Sequence, residues 1–198
     1  PAHVIFILAT TELQKVPDTI VSRCQVFNFK KPTDVILKDM ILETAKKEGF
    51  KMDTSSAELI SILGDGSYRD TLGALQKVLN FSESKNIKRE DIENITGAPK
   101  TTLVNDFISA IAEKDLESGI ATVRNASKEN LDMKLFAKLI IQKFRMAIIL
   151  KYAPKLEAEM SANLSPEDIT FLKELSKKDK EGMMRSPSLS ILLEAYQN

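Results

Sequence analysis

Arg69 stands at a position in the sequence where a guanidinium group could bind a phosphate. It follows Ser67, which opens a predicted helix. In the first turn of a helix, the backbone amides and the helix dipole already form a positive site, so an arginine slightly disfavours the helix there. Its fork of donors can instead bind an anion. The alternative is a surface arginine paired with Asp65 or Asp70.

Arg23 is a second candidate, placed between a predicted helix and a predicted strand in the motif Ser22-Arg23-Cys24. A cation near the C-terminus of a helix is favourable and ordinary, so the position alone favours a structural role. Cys24 is interpreted as a small buried apolar residue rather than a reactive thiol.

Other kinds of chemistry lack the residues they need. None of the seven glycines lies in a G-x-x-x-x-G-K-[ST] loop, so the chain has no phosphate-binding P-loop. His3 and Cys24 are the single histidine and cysteine, which excludes an internal disulfide and a Cys/His metal cluster. The 28 basic residues balance 28 acidic ones, which argues against a dedicated nucleic-acid binder. A reduced, cytoplasmic setting with no membrane contact is expected.

The first region, residues 1–31, is predicted to contain strand, short helix and strand. Residues 4–8 are five consecutive apolar residues, typical of a strand buried on both faces. The only other good strand is 25–29, and Pro17 suits the first turn of the helix between them. Because a two-stranded sheet is marginal alone, we expect the rest of the sheet upstream.

The second region, residues 32–98, is predicted to be a small helical domain. Thr33, Thr54 and Ser67 are candidate caps of three helices, and the turn 64–66 closes the second one. A short helix is expected near 89–95.

The third region, residues 99–198, is predicted to be wholly helical. Its longest helix is expected over 131–152, with later helices starting at Ser165 and Pro187. The polar and basic run 176–185 is interpreted as a solvated connection.

Two motifs in order carry a resemblance to a known family. The segments 6–12, 14–17 and 19–27 (FILATTE, QKVP and TIVSRCQVF) resemble the end of the AAA+ ATPase domain in bacterial clamp-loader subunits of the DNA polymerase III gamma/tau type. The segment 66–72 (GSYRDTL) resembles the second-sensor motif of that family. The resemblance implies a mainly α fold: the C-terminal strands of an AAA+ α/β domain, a helical lid and an all-α collar domain.

The resemblance also implies a role for each matched residue. Thr11, with Thr10 beside it, corresponds to the first sensor of the γ-phosphate. Arg23 corresponds to an arginine finger that enters the ATP site of a neighbouring subunit, where a guanidinium stabilises the transferring phosphoryl group. Arg69 corresponds to the second sensor, which binds the nucleotide of its own chain.

The resemblance implies a parent protein that is a clamp-loader ATPase within the DNA-directed DNA polymerase III holoenzyme. Such a protein uses ATP with Mg²⁺, forms a ring with other clamp-loader subunits through the collar, and acts on the sliding clamp and, indirectly, on primed DNA. The P-loop and the family's zinc module have no counterpart here, so this segment alone is expected to bind no cofactor and hydrolyse no ATP. Tyr68 and Thr71 replace the Met and Ala more usual beside the second-sensor arginine.

Three alternatives remain open. A delta-prime type of clamp-loader subunit also carries the S-R-C motif but does not hydrolyse ATP. A helical interaction domain would give Arg69 no nucleotide role, and another AAA+ remodelling enzyme would share the general architecture.

Overall fold

The computed structural model describes residues 3–156 and 164–197. The chain forms two compact units, Pro1–Lys31 and Pro32–Asn198. Most of the described residues are helical, as the sequence predicts. No helix in the described ranges is long and apolar enough to cross a membrane.

The first unit contains a 3-10 helix, Leu13–Lys15, and the short helix α1, Asp18–Val21. Neither 4–8 nor 25–29 forms a paired strand, so those two strand predictions are wrong for this chain. Cys24 is exposed, and the prediction that it is buried is wrong as well. These predictions fail for the same physical reason. A strand buried on both faces needs neighbours on both sides. Here Ile5, Phe6 and Ile7 remain more than four-fifths exposed.

The second unit begins with four helices and two short strands. They are α2 Asp34–Lys47, β1 Lys51–Met52, α3 Thr54–Leu63, α4 Tyr68–Phe81, β2 Asn86–Ile87 and α5 Arg89–Thr96. The strands β1 and β2 pair in parallel, with Lys51 opposite Asn86 and Met52 opposite Ile87. The sequence does not predict this pair, because two-residue strands carry too few positions to show an alternating pattern.

The caps of these helices explain where they begin. The side chain of Thr33 accepts a hydrogen bond from the backbone N–H of Ile36, as expected for an N-cap. Asp53, and not Thr54, caps α3, with its Oδ1 2.7 Å from the backbone nitrogen of Ser56. The predicted cap was therefore one residue too late, because the carboxylate supplies the acceptor and Thr54 takes the first helical position.

In the described residues after 98, five helices follow: α6 Thr101–Glu113, α7 Leu116–Lys128, α8 Met133–Tyr152, α9 Pro166–Lys178 and α10 Ser186–Gln197. The 3-10 helix Pro154–Leu156 follows α8. The predicted long helix and the predicted helix start at Ser165 are both confirmed; the Oγ of Ser165 accepts from the backbone N–H of Asp168 at 3.1 Å.

One cluster of buried side chains runs through both helical regions of the second unit. Its largest members include Ile60 of α3, Ile108 of α6, Phe136 and Phe144 of α8, and Leu172 of α9. Helices on both sides of residue 98 therefore share one core. The separation of 32–98 from 99–198 as two domains stays a prediction.

The segment predicted to be a solvated connection contains a buried carboxylate. The side chain of Asp179 accepts hydrogen bonds from the backbone N–H groups of Met183 at 2.6 Å and Met184 at 3.0 Å, and it pairs with Lys151 at 2.5 Å. Met184 is 1% exposed. The prediction of a solvated connection is wrong at Asp179. A charge-rich composition does not show that this carboxylate is buried by hydrogen bonds to the turn that follows and by its pair with Lys151.

Candidate functional site

Arg69 is the second residue of α4 and is exposed to solvent. Ser67 caps this helix, with its Oγ 3.3 Å from the backbone nitrogen of Asp70. Within the described part of the chain, no ion pair of Arg69 with Asp65 or Asp70 is found, and Asp65 pairs with Lys138. The paired-arginine alternative is therefore not realised, and the guanidinium group lies open beside the N-terminal end of a helix.

The start of α4 is fixed by a close approach of two backbones. A Cβ built on Gly64 would lie 1.9 Å from the hydroxyl oxygen of Thr71 and 2.7 Å from its Cα. Thr71 is fully buried, and its hydroxyl has no hydrogen-bond partner in the described structure. Only a residue without a side chain fits at position 64. The packing of Gly64 against Thr71 therefore positions the first turns of α4, where Arg69 lies, relative to the C-terminal end of α3.

The turn between α3 and α4 uses two residues with positive φ, Asp65 at 47° and Gly66 at 76°. The backbone N–H of Ser67 donates to the carbonyl of Gly64 at 2.8 Å and closes the turn. Glycine adopts positive φ without steric cost, and aspartate does so more readily than most residues. The Gly-Asp-Gly sequence therefore dictates a tight reversal directly before the helix of Arg69.

Arg23 lies at the C-terminal end of α1 in the first unit. Its Nη1 donates to the backbone carbonyl of Thr19 at 2.5 Å, and its backbone N–H donates to Ile20 at 3.0 Å. This is the ordinary geometry of a cation that satisfies a terminal helix carbonyl. The side chain is exposed, so the group can exchange this contact for a stronger acceptor.

Thr10 and Thr11, the two candidate sensor residues of the first unit, are exposed. The hydroxyl oxygen of Thr10 accepts a hydrogen bond from the backbone N–H of Glu12 at 3.0 Å, which closes a local turn. Glu12 in turn pairs with Lys15 at 2.8 Å. Thr10, Thr11 and Arg23 thus belong to the first unit and Arg69 to the second, and each site is defined by its own local geometry.

A group of buried charges that the sequence analysis missed lies between α3, α5, α8 and α9. Glu58, Arg89, Lys143 and Asp168 line a cavity of about 30 Å³. Lys143 pairs directly with Asp168, and the Nε2 of Gln142 donates to the Oε1 of Glu58 at 3.0 Å. A cavity of this size suits a water molecule rather than a nucleotide, so the cluster is a structural element.

The pKa values of two carboxyl groups in this cluster are shifted in opposite directions. Burial raises the pKa of Glu58, and the nearby cations only partly offset this. Burial also opposes ionisation of Asp168, but the charge and hydrogen bond of Lys143, with the hydroxyl of Ser165, hold the pKa of Asp168 below its ordinary range. The local sequence does not indicate this cluster, because its four members lie on four different helices.

Arg89 joins three helices near this cluster. Its Nε donates to the Oγ1 of Thr101 at 2.7 Å, and its Nη1 donates to the backbone carbonyl of Ser55 at 3.0 Å. Glu93 lies 3.4 Å from the guanidinium and also accepts from the backbone N–H of Thr101 at 3.0 Å. A single guanidinium therefore ties α3 and α6 to α5.

An apolar groove of about 400 Å³ lies between α6 and α7. Its exposed apolar residues on α7 are Leu116, Ile120 and Val123, of which Leu116 is 75% exposed. Such a surface is typical of a contact with another protein chain.

No protein-family model matches the chain. Individual relatives do. Over 138 residues the chain is 36% identical to the DNA polymerase III subunit gamma/tau of Mycoplasma pneumoniae. The matched region covers 70% of this chain and 20% of that protein. It is 33% identical over 157 residues to the DNA polymerase III subunit tau of Bacillus subtilis, over 79% of this chain and 28% of that protein.

The chain is homologous to a segment of the gamma/tau subunits of DNA polymerase III. A third gamma/tau relative, from Mycobacterium bovis, is 28% identical over 168 residues, which is 85% of this chain and 29% of that protein. The chain thus spans between 20% and 29% of the length of these gamma/tau relatives.

Among solved structures, the Bacillus subtilis DNA clamp loader delta protein (YqeN) matches 85% of this chain and 56% of its own length. The TM-score is 0.38 and the sequence identity 17%, values too low to support a statement about shared fold or function. The gamma/tau assignment therefore rests on sequence similarity.

Within the described residues, no group of three His, Cys, Asp or Glu side chains could hold a metal ion. The residues of the gamma/tau-like motifs supply hydroxyl and guanidinium groups instead. These groups can bind and orient an anion.

Proposed function

We propose that the protein is an ATP-dependent clamp-loader subunit of the DNA polymerase III gamma/tau type. The observation that carries this proposal is the similarity to the gamma/tau and tau subunits of Mycoplasma pneumoniae and Bacillus subtilis over 70% and 79% of the chain. In this function, ATP binding opens a sliding clamp and places it on primed DNA, and hydrolysis releases it. This chain covers less than a third of the length of those relatives, so the proposed activity is that of the intact protein and not of this segment alone.

Arg69 is assigned the role of second sensor. Its guanidinium group is exposed, forms no ion pair with the described carboxylates, and lies beside the N-terminal turn of α4. A cation there is unfavourable for the helix, and an anion held against it removes that cost. A terminal phosphate of ATP is the anion that this geometry favours, because a guanidinium fork can bind two phosphate oxygens at once.

Arg23 is assigned the role of an arginine finger that acts on the ATP of a neighbouring subunit. Its present contact, to the carbonyl of Thr19, is a solvent-exposed hydrogen bond. Such a bond contributes about 1 kcal/mol, so a phosphoryl group that develops negative charge is a stronger acceptor. The exchange neutralises charge on the transferring phosphate, which is where a guanidinium lowers the barrier most.

Thr11 is assigned the role of first sensor, with Thr10 as its support. The hydroxyl of Thr10 accepts from the backbone N–H of Glu12 and so shapes the turn that follows. Thr11 is exposed on that turn, where a hydroxyl can donate to a γ-phosphate oxygen or to the attacking water.

ATP with Mg²⁺ is the cofactor that this function requires. ATP supplies the phosphate that Arg69 would bind directly and that Arg23 would bind in the neighbouring subunit. The P-loop that cradles the phosphates is not part of these 198 residues. In this proposal the segment contributes sensing and transition-state stabilisation, and the intact protein would supply the ATP-binding loop.

The helices of 99–198 are assigned to assembly with other clamp-loader subunits. The support is the apolar groove between α6 and α7, whose residue Leu116 is 75% exposed. Burial of such a surface against a neighbouring subunit removes apolar area from water and stabilises a ring.

The test is ATP hydrolysis by the intact protein assembled with its partner subunits. Arg23→Ala is expected to lower kcat by about a thousandfold or more, because transition-state charge loses its cation. Arg69→Ala is expected to raise the KM for ATP. Arg145→Ala, at an exposed arginine on α8, is the matched control and should leave both constants unchanged.

Two outcomes separate the alternatives. Unchanged hydrolysis in both variants would contradict the sensor and finger roles and leave a helical binding domain. A loss of hydrolysis with Arg23→Ala, with no effect of Arg69→Ala, is what a delta-prime type of subunit would give, since only the finger would act.

A further inference from the structure

Lys138, in the second turn of α8, reaches the turn between α3 and α4. Its Nζ lies 3.0 Å from the backbone carbonyl oxygen of Ile62 and 2.5 Å from Oδ1 of Asp65. The lysine side chain is 29% exposed and that of Asp65 is 79% exposed. The long helix of the C-terminal region thus holds the turn that precedes the helix of Arg69.

This contact is more specific than a surface ion pair. An exposed pair of charges alone contributes little to stability. Here the ammonium group also binds the carbonyl of Ile62, which is among the last carbonyls of α3 and lies at the negative end of the helix dipole. Two acceptors, one of them backbone, fix the direction of the lysine and the position of the turn together.

The held turn determines where α4 begins. Ser67 donates its backbone N–H to Gly64 at 2.8 Å and caps α4, and Arg69 follows two residues later. On the other side of the turn, Thr71 packs against Gly64 so closely that no side chain fits there. The turn is therefore contacted from both sides, by Thr71 of α4 and by Lys138 of α8.

We propose that Lys138 is a positioning residue for Arg69, and that it transmits the nucleotide state of Arg69 to the helices of 99–198. This inference rests on the proposed second-sensor role of Arg69. When a bound phosphate draws Arg69 and the start of α4, the Gly64–Gly66 turn moves with them. The Lys138 contact then either carries α8 along or breaks, so ATP binding and the arrangement of the assembly helices are coupled.

The test measures KM for ATP and kcat with the intact protein assembled with its partner subunits. Lys138→Met keeps the aliphatic chain and removes the ammonium group. We expect it to raise the KM for ATP by roughly three- to tenfold, with little change in kcat, because coupling residues of this kind shift binding by such factors. Lys77→Met, at an exposed lysine on the helix of Arg69, is the control and should leave the KM unchanged.

A second variant guards against a folding defect. Asp65→Asn removes the charge that Lys138 binds, at an exposed position, and asparagine tolerates the positive φ of 47° found there. It should raise the KM in the same direction as Lys138→Met, by about two- to threefold. If Lys138→Met does not fold by circular dichroism, Asp65→Asn decides the question.

The decisive readout is non-additivity with Arg69→Ala. If Lys138 acts through Arg69, Lys138→Met should have no further effect on the KM once Arg69 is alanine. Independent, multiplying effects, or an unchanged KM in Lys138→Met and Asp65→Asn while Arg69→Ala raises it, would overturn this inference and leave the proposed function standing. An unchanged KM in Arg69→Ala itself would overturn both.

Discussion

Gly64 and Thr71 approach each other so closely that a methyl group on Gly64 would lie 1.9 Å from the Thr71 hydroxyl oxygen. The same methyl would also lie 2.7 Å from the Cα of Thr71, so a rotation of the threonine side chain cannot relieve the contact. This contact joins the end of α3 to the first turns of α4, where Arg69 lies.

Gly64→Ala is therefore expected to destabilise the protein by about 1–3 kcal/mol, since the backbone of one helix must move. The matched control is Gly73→Ala within α4, where an added Cβ meets nothing within 4 Å. That change should stabilise by roughly 0.5–1 kcal/mol through helix propensity. Urea unfolding followed by circular dichroism measures both, and equal effects of the two variants would contradict the close packing.

Arg89→Lys tests the hydrogen-bonded junction of α3, α5 and α6. A lysine cannot reach the Thr101 hydroxyl and the Ser55 carbonyl together in the geometry of the guanidinium fork. We expect a loss of about 1–3 kcal/mol in the free energy of unfolding, because buried acceptors are left unpaired. Arg145→Lys, exposed on α8, should change it by less than about 0.5 kcal/mol. A neutral Arg89→Lys would show that the junction contributes nothing.

Glu58→Gln is expected to alter how stability depends on pH. Burial raises the folded-state pKa of Glu58 above 4.5, while Arg89, Lys38 and Lys143 attract its charge and Asp168 repels it. The folded state therefore binds more protons than the unfolded state, and this group's contribution to stability falls as pH rises from 4.5 through the raised folded-state pKa.

Glutamine mimics the protonated acid and can still accept from Gln142, so the variant should be more stable than the parent at neutral pH. The difference should vanish below pH 4.5. Unfolding free energies measured from pH 4 to pH 8 check this. Glu129→Gln, at an exposed site, should show no such trend, and a Glu58→Gln variant less stable at pH 8 would contradict the sign of the shift.

The helix starts were predictable because capping is local. Thr33, Ser67 and Ser165 each accept a hydrogen bond from a backbone N–H three residues on, as sequence spacing alone indicates. Asp53 was missed by one residue because Asp-Thr offers two candidate acceptors in succession. Periodic apolar positions were sufficient to place the long helix α8.

The remaining features depend on contacts between residues far apart in the chain. Lys138 lies on α8 and Asp65 lies in the turn between α3 and α4, and nothing in their local sequence indicates that they pair. The burial of Asp179 inside a charge-rich segment has the same cause. The strand predictions for 4–8 and 25–29 were wrong because apolar runs indicate burial only where a neighbouring surface exists. Arg69 and Arg23 are candidates from their positions near helix ends, and only the family motifs give them proposed roles at an ATP site.

The most direct test of the account is transfer of a labelled sliding clamp to primed DNA by the intact protein assembled with its partner subunits. We expect transfer with ATP, none without nucleotide, and about a tenfold or greater loss of rate in Arg69→Ala, with Arg145→Ala unaffected. Transfer that is absent, or that proceeds equally without ATP and with Arg69→Ala, would contradict the clamp-loader account and leave a helical protein-binding domain.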